Sequence, residues 1–140
     1  MAGIAAQPFA QRGTTAEIEA GRTFMPKFDA AGLMPAIATD ADTGDVLMLA
    51  WMNADALQRT IETAEAHFFS RSRGRLWRKG EESGNTMVVV EVRTVCDQDA
   101  IWLRVRLRGK GAACHTGQYS CFYRRVPLGG PTAILEPAGG

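Results

Sequence analysis

Alternating and continuous apolar stretches predict a protein built mainly from β-strands. Residues 101–107 alternate between aliphatic and mostly charged side chains, which predicts a strand with one buried and one solvated face. Residues 87–92 form a run rich in β-branched side chains, and residues 67–70 and 75–78 flank a turn at Gly74. These three segments are also predicted to be strands.

A hairpin is predicted nearer the N-terminus. Residues 35–39 lead into a turn over 40–45, and residues 46–52 form the returning arm. The returning arm is apolar throughout, which predicts a strand that is buried on both faces.

Helical periodicity follows this hairpin. Asn53 is a typical capping residue, and an apolar face recurs at the helical spacing of three and four residues. That face consists of Leu57, Thr60, Ile61 and Ala64. A second, short helix is predicted to begin at Thr14 or Thr15.

These elements predict an α+β fold in which a few helices flank a mainly antiparallel sheet. The 140 residues are interpreted as one domain, with 1–24 and 128–140 as loose terminal extensions and disorder at the extreme N-terminus. A last strand is predicted within 120–126, followed by a loose tail.

Composition narrows the class of protein. The chain is 46% hydrophobic and 22% charged, and its net charge of +1 gives no reason to expect a nucleic-acid or membrane partner. Three cysteines, an odd number, are atypical of a disulfide framework. No leader segment and no run of ~20 apolar residues is recognised, so a cytoplasmic protein is expected.

The cysteines are the first candidate chemistry. Cys96, Cys114 and Cys121 all fall between Val95 and Tyr123, each beside polar residues, which is typical of a metal site. Three thiolates would leave one tetrahedral position of Zn²⁺ open, as in catalytic sites. The alternative is three buried free cysteines.

Acidic and imidazole groups lie in the same stretch. Asp97 and Asp99 could direct two carboxylates at Mg²⁺, although Asp is also common in turns. His115 could act as a general acid or base or as a fourth zinc ligand. His67 is interpreted as a packing or surface residue.

Basic residues between 71 and 79, beside Ser70 and Ser72, form a candidate phosphate cradle, with a solvated strand face as the alternative. Trp51 and Trp77 could stack on a base or belong to the core. The polar loop over 80–86 is expected at the surface, where such loops often bind ligands.

Four motifs in this order give a family resemblance: LAWMNADAL, FFSRSRGRLWRKGEESGN, CDQDA and ACHTGQYSCFY. They closely resemble phosphoribosyl-AMP cyclohydrolase of histidine biosynthesis, over about residues 34–125. The resemblance implies hydrolytic opening of the N1–C6 bond of the substrate adenine by zinc-activated water, which leaves a carboxamide. N1 alkylation makes C6 electron-poor, which offsets the weak Lewis acidity of a three-thiolate zinc.

The same resemblance implies an intertwined homodimer. Zinc would be held by Cys96, Cys114 and Cys121 from both subunits, and Mg²⁺ by a D-C-D-x-D motif that retains Asp97 and Asp99. Its first position is Val95 here, and Val cannot ligate a cation.

His115 is the predicted proton shuttle. The predicted substrate-binding residues are Ser70, Arg71, Arg73, Trp77, Lys79, Ser83 and Asn85. Two alternatives remain: a structural zinc module that binds RNA, and a relative impaired by Val95. A base deaminase is excluded because its H-x-E signature is absent.

Overall fold

The structure is a computed structural model that describes residues 8–138. Its elements, in chain order, are α1 (Thr15–Ala20), β1 (Met34–Asp40), β2 (Val46–Met52), α2 (Ala54–Thr63), β3 (His67–Ser70), β4 (Arg75–Arg78), β5 (Met87–Thr94), β6 (Ile101–Leu107), β7 (Arg124–Arg125) and β8 (Glu136–Pro137). Neither helix described here has the length that crossing a membrane would require.

Four strands form the main sheet, in the order β2-β1-β6-β5. The outer pairs are antiparallel, whereas β1 and β6 run parallel, with Ala36 opposite Ile101. The α+β class is therefore confirmed, and the sheet is mixed rather than wholly antiparallel. Strands β3 and β4 pair separately as an antiparallel hairpin.

The core lies where α2 and the β3–β4 hairpin pack on the main sheet. Its largest fully buried side chains include Met34, Leu47, Met52, Leu57, Phe68, Met87, Ile101, Leu103 and Val105. Asn53 caps α2 by accepting a 2.8 Å hydrogen bond from the Ala56 amide, as predicted. Ile101, Leu103 and Val105 are buried, which confirms the predicted alternation of β6.

Two burial predictions are wrong. Val46 and Leu49 of β2 are 40% and 49% exposed, because β2 is an edge strand and is not covered on both faces. Ile61 is 48% exposed, and Ala64 ends α2 in the left-handed conformation instead of continuing its apolar face.

The chain termini differ from the prediction in part. The strand expected over 120–126 is limited to β7, which pairs with β8 and not with the main sheet. At the other end, α1 has the predicted start, because Thr14 and Glu17 form a reciprocal capping box. The disorder expected at the extreme N-terminus lies outside the described residues.

Candidate active site

A cleft of about 1000 Å³ opens beside the edge of β2, between the β3–β4 hairpin, the loop over 80–86 and a second loop over 112–121. All seven predicted substrate-binding residues line it: Ser70, Arg71, Arg73, Trp77, Lys79, Ser83 and Asn85. Cys114 and His115 line the same cleft. The structure thus brings together residues that are up to 45 positions apart in the sequence.

The basic residues of the cleft fall into two groups. Arg75 is paired with Glu81 at 3.3 Å, and Arg78 is paired with Glu65 at 3.4 Å. The other three have no carboxylate partner within residues 8–138: Arg71, Arg73 and Lys79. These three side chains remain available to an anionic ligand.

Two aromatic rings shape the wall of the cleft. The Arg71 guanidinium lies over the Trp51 ring, 4.6 Å from its centroid, in a cation–π contact that orients the arginine. Trp77 packs against the core ring of Phe68 at a centroid distance of 5.3 Å. Both tryptophans are half-buried, so each combines a packing contact with a surface on the cleft.

The loop over 80–86 is held close to Gly109. The Asn85 Oδ1 accepts a 2.8 Å hydrogen bond from the Lys110 amide. A Cβ atom at Gly109 would lie 2.4 Å from that same oxygen, and Gly109 has a φ of +69°, so glycine is required there on both grounds. The Asn85 Nδ2 donates no hydrogen bond within residues 8–138.

Residues 112–121, here called the Cys114 loop, are fixed to the β1–β2 hairpin. The Cys121 amide donates to the Leu47 carbonyl at 2.7 Å. The Tyr119 hydroxyl donates to Asp40 at 2.7 Å and to Asp45 at 3.1 Å. This anchoring sets the position of both thiols of the loop.

The two thiols of the Cys114 loop interact directly. Burial raises the pKa of Cys114, but hydrogen bonds from the Thr116 hydroxyl, 3.0 Å from Sγ, and from the Thr116 amide outweigh it, so its pKa is lowered. Burial and the neighbouring Cys114 raise the pKa of Cys121 to about 11. The lowered pKa of Cys114 and the raised pKa of Cys121 mean that a second thiolate beside the first is disfavoured, and a cation between the two sulfur atoms would relieve this repulsion.

Two neighbours of these thiols bear on their chemistry. Burial lowers the pKa of Lys79, and its proximity to Cys121 and Cys114 opposes that shift, so a cationic group lies beside the sulfur atoms. Thr116 was not singled out by the sequence analysis, because a threonine two residues after a cysteine has no distinctive pattern. Its contact with Cys114 is visible only in the folded loop.

His115 is exposed and lines the cleft beside Cys114. Its ring can therefore reach a ligand in the cleft or the solvent. His67, by contrast, is buried, and its Nδ1 lies 2.8 Å from the Glu65 carbonyl oxygen, which confirms its interpretation as a packing residue.

Residues 95–100, here called the Cys96 loop, join β5 to β6 and carry the remaining predicted ligands. Cys96, Asp97 and Asp99 are all exposed. A hydrogen bond with Asp97 and then burial raise the pKa of Asp99, so the two carboxylates face each other closely enough to share a proton. That proximity fits a divalent cation.

The Cys96 loop lies far from the Cys114 loop within one chain. It is at the end of the sheet where β1 begins and next to edge strand β5, whereas Cys121 contacts the start of the opposite edge strand β2. Strand geometry puts the two loops on the order of 20 Å apart. Within residues 8–138, no three His, Cys, Asp or Glu side chains are close enough to hold one metal ion. The alternative of three buried free cysteines is wrong, since Cys114 is buried whereas Cys96 and Cys121 are exposed.

Comparison with known proteins agrees with the motifs. A family model described as phosphoribosyl-AMP cyclohydrolase matches residues 48–123. The chain is 59% identical over 117 residues to the phosphoribosyl-AMP cyclohydrolase of Brucella anthropi, covering 84% of this chain and 83% of that protein. The enzyme of that name from a Bradyrhizobium species is 64% identical over 107 residues, covering 76% and 81%.

A longer match extends towards the N-terminus. The phosphoribosyl-AMP cyclohydrolase of Brucella abortus is 54% identical over 129 residues, which are 92% of this chain and 93% of that protein. Similarity of this extent, together with the matching model, confirms the resemblance derived from the four motifs. The chain belongs to the phosphoribosyl-AMP cyclohydrolase family and is an enzyme of that kind.

Proposed function

We propose that the enzyme hydrolyses the N1–C6 bond of phosphoribosyl-AMP in the cleft beside β2, as a step of histidine biosynthesis in the cytoplasm. The observation that carries this proposal is that Arg71, Arg73 and Lys79, which have no carboxylate partner among the described residues 8–138, line one cleft together with Cys114 and His115. The substrate has two phosphates and one reactive ring, so it needs cationic groups and a reactive centre within a single site.

Arg71, Arg73 and Lys79 bind the phosphates in this proposal. Arginine provides a planar fork of N–H donors that matches a phosphate, and the Trp51 ring holds the fork of Arg71 in place. Ser70, Ser83 and Asn85 add neutral hydrogen-bonding groups, and Trp77 provides an aromatic edge of the cleft. Arg75 and Arg78 are already paired with glutamates, so in this proposal they line the cleft without binding phosphate.

Cys114 and Cys121 would hold Zn²⁺ together with Cys96. Their proximity to each other and to Lys79 suits this role, because Lys79 offsets part of the negative charge of three thiolates. Zinc, when bound, supplies Lewis acidity that lowers the pKa of water at the reactive carbon. The Thr116 hydroxyl limits the charge on Cys114 by donating to its sulfur.

His115 moves the proton. Its exposed ring, beside Cys114 and within the cleft, can take a proton from the attacking water and deliver it to N1 as the N1–C6 bond breaks. Lys79 and the arginines keep the substrate in place during this transfer, so that binding energy from the phosphates orients the distant ring.

Two subunits complete each site in this proposal, because the Cys96 loop cannot reach the Cys114 loop of its own chain. A groove of about 390 Å³ runs beside residues 89–94 of β5, next to the Cys96 loop, and is lined mainly by apolar residues, including Phe24, Ile61, Val90 and Val92. Such a groove offers a second copy an apolar surface to bury.

Asp97 and Asp99 would hold Mg²⁺ with their two carboxylates, since hard cations take oxygen ligands. Val95 is 44% exposed, and its amide and carbonyl groups form the hydrogen bonds of the turn, to Ala100 and Gln98. The fold therefore does not depend on the Val95 side chain. Because this side chain cannot ligate a cation, the position also favours the second candidate, an enzyme with impaired Mg²⁺ binding. A structural RNA-binding zinc module is disfavoured because the chain belongs to a family of enzymes.

The test is ring opening of phosphoribosyl-AMP, followed by absorbance on zinc-loaded protein while Mg²⁺ is titrated from zero. Saturable Mg²⁺-dependent turnover is expected. Absence of turnover at every Mg²⁺ concentration, with zinc bound, would instead support the impaired relative.

Replacement of Cys114 provides the matching mutational test. Cys114→Ser is expected to abolish both zinc retention, measured by metal analysis after gel filtration, and turnover, because one of three thiolates is lost. Full activity in this variant would contradict the zinc mechanism. Cys121→Ser should behave in the same way.

A further inference from the structure

The segment over residues 8–28 packs against the Cys96 loop and precedes the region that the family model matches. The ring of Phe9 contacts those of Phe24 and Phe28 at centroid distances of 5.4 and 6.4 Å, so the segment folds back on itself. Its polar contacts are directed at the loop that carries Cys96.

Arg12 bridges the segment and the loop. Its Nη1 donates to the Met25 carbonyl and to the Asp97 carbonyl, each at 2.8 Å. One guanidinium nitrogen thereby ties a backbone group of the predicted ligand Asp97 to a residue 72 positions away. Arg12 is itself exposed, so its contribution is made by these two bonds and not by burial.

Gln98 fastens the loop from the other direction. Its side chain is 5% exposed, with Oε1 accepting from the Met25 amide at 2.7 Å and Nε2 donating to the Ile18 carbonyl at 2.9 Å. The Gln98 carbonyl accepts from the Lys27 amide at 2.8 Å. Its φ of +58° is strained for a residue other than glycine, which these contacts offset.

The position of Gln98 matters because it lies between two predicted ligands. While its side chain is buried under the N-terminal segment, Asp97 and Asp99 on either side are exposed. The contacts with residues 8–28 therefore determine which side chains of the loop face inward and which are presented outward.

We propose that residues 8–28 are a positioning clamp for the Cys96 loop and that Arg12 is a positioning residue acting through Asp97 and Gln98. The proposal rests on the proposed function, in which this loop supplies metal ligands. A hairpin loop without the clamp would sample many conformations, whereas metal ligands must be held in one geometry.

Arg12→Met tests the clamp, because it removes the donors and keeps an unbranched side chain. Hydrogen exchange of the Met25 and Lys27 amides, which donate to Gln98, is expected to become about tenfold faster, as these bonds report local opening. Zinc release to a chelator should also become about tenfold faster. Arg12→Lys, whose ammonium can donate to two carbonyls, should recover most of the protection.

Arg59→Met is the matched control, since Arg59 forms an ion pair with Asp55 on the surface of α2. It should leave both rates unchanged, and exchange of the β6 amides should be the same in all variants, which separates local from global opening. Exchange and zinc release in Arg12→Met equal to those of the unaltered enzyme would overturn the clamp.

Cys96→Ser separates this proposal from the one on which it rests. If that variant retains zinc as tightly as the unaltered enzyme, the ligand role of Cys96 is wrong, and the exchange rates alone still decide whether the clamp exists. If it loses zinc while Arg12→Met changes neither rate, the metal assignment stands and the clamp is wrong.

Discussion

The Cys114 loop and the Cys96 loop both carry predicted metal ligands, but they differ in what surrounds them. The Cys114 loop is tied to the β1–β2 hairpin and lies at a cleft whose cations Arg71, Arg73 and Lys79 have no carboxylate partner within residues 8–138. The Cys96 loop is tied to the N-terminal segment, lies at the other end of the sheet and exposes its thiol and carboxylates. Each loop is held by hydrogen bonds, yet in the described part of the chain neither brings three ligands together for one metal ion. In the proposed mechanism, each chain would therefore present two half-sites at opposite ends of the sheet.

The strongest test of this difference places a substitution in the Cys96 loop of one subunit and a substitution in the Cys114 loop of the other. Cys96→Ser and Cys114→Ser should each be inactive alone, but refolded together they should recover about a quarter of the original activity. Half of the dimers would be mixed, and each mixed dimer would have one intact site. Turnover of the mixture measures this.

A mixture of Cys114→Ser and Cys121→Ser is the control for that experiment. Both substitutions fall in the Cys114 loop, so every site in a mixed dimer loses a ligand and no activity should return. Recovery in this control, or its absence in the first mixture, would contradict a site shared between subunits.

His115→Ala tests the role of the Cys114 loop in catalysis. Turnover should fall by about 10²- to 10⁴-fold, because the proton transfer loses its general acid–base group. Zinc content should stay unchanged, as measured by metal analysis. Loss of zinc in parallel with activity would show instead that His115 is a fourth ligand.

Val95→Asp tests the role of the Cys96 loop in binding Mg²⁺. A third carboxylate should lower the Mg²⁺ concentration for half-maximal turnover by about tenfold, since affinity for hard cations rises with the charge of the ligands. Val95→Asn serves as the control, because it has a similar shape without the charge. Equal Mg²⁺ dependence in all three proteins would mean that position 95 does not face the metal.

Tyr119→Phe should have the smallest effect. It removes the hydroxyl that holds the Cys114 loop to Asp40 and Asp45, at a cost of ~1 kcal/mol in the free energy of unfolding, measured in urea. Tyr123→Phe is the control, since that hydroxyl forms no side-chain hydrogen bond within residues 8–138.

The same variant should alter the pH dependence of stability. The Tyr119 hydrogen bond lowers the pKa of Asp40 in the folded state, so this contribution is present above the unfolded-state pKa and disappears as the pH falls through the folded-state value. In Tyr119→Phe, stability should therefore fall less between neutral and acidic pH. An unchanged pH profile would show that Asp40 does not depend on the tyrosine.

The sequence pattern predicted those parts of the fold that depend on residues close together in the chain. The bounds of β3 and β4 and the capping of α2 by Asn53 followed from alternation, turn residues and cap chemistry. The parallel pairing of β1 with β6 had no such signal, because its partners lie 65 residues apart. The apolar run of β2 was misread for the same reason, since neither its edge position nor the cleft against Leu49 is encoded locally.

The candidate site divides in a similar way. All seven residues that the motifs predict to bind the substrate line one cleft, and their binding of substrate stays a prediction. The motifs did not predict that Arg75 pairs with Glu81 and Arg78 with Glu65. A cluster of basic residues in a sequence does not indicate which carboxylates each of them will contact. Contacts such as Arg12 with Asp97 join residues 85 positions apart and become apparent only in the folded chain.

The place of β1 in the sheet has a consequence for biosynthesis. Because β1 lies between β2 and β6, one of its edges is covered as soon as the hairpin closes at the end of β2, while the other must wait until β6 has been synthesised, roughly 50 residues later. An apolar strand edge is thus exposed on the growing chain throughout that interval. The nascent enzyme is most vulnerable to aggregation then, and slow translation between β2 and β6 would prolong the exposure.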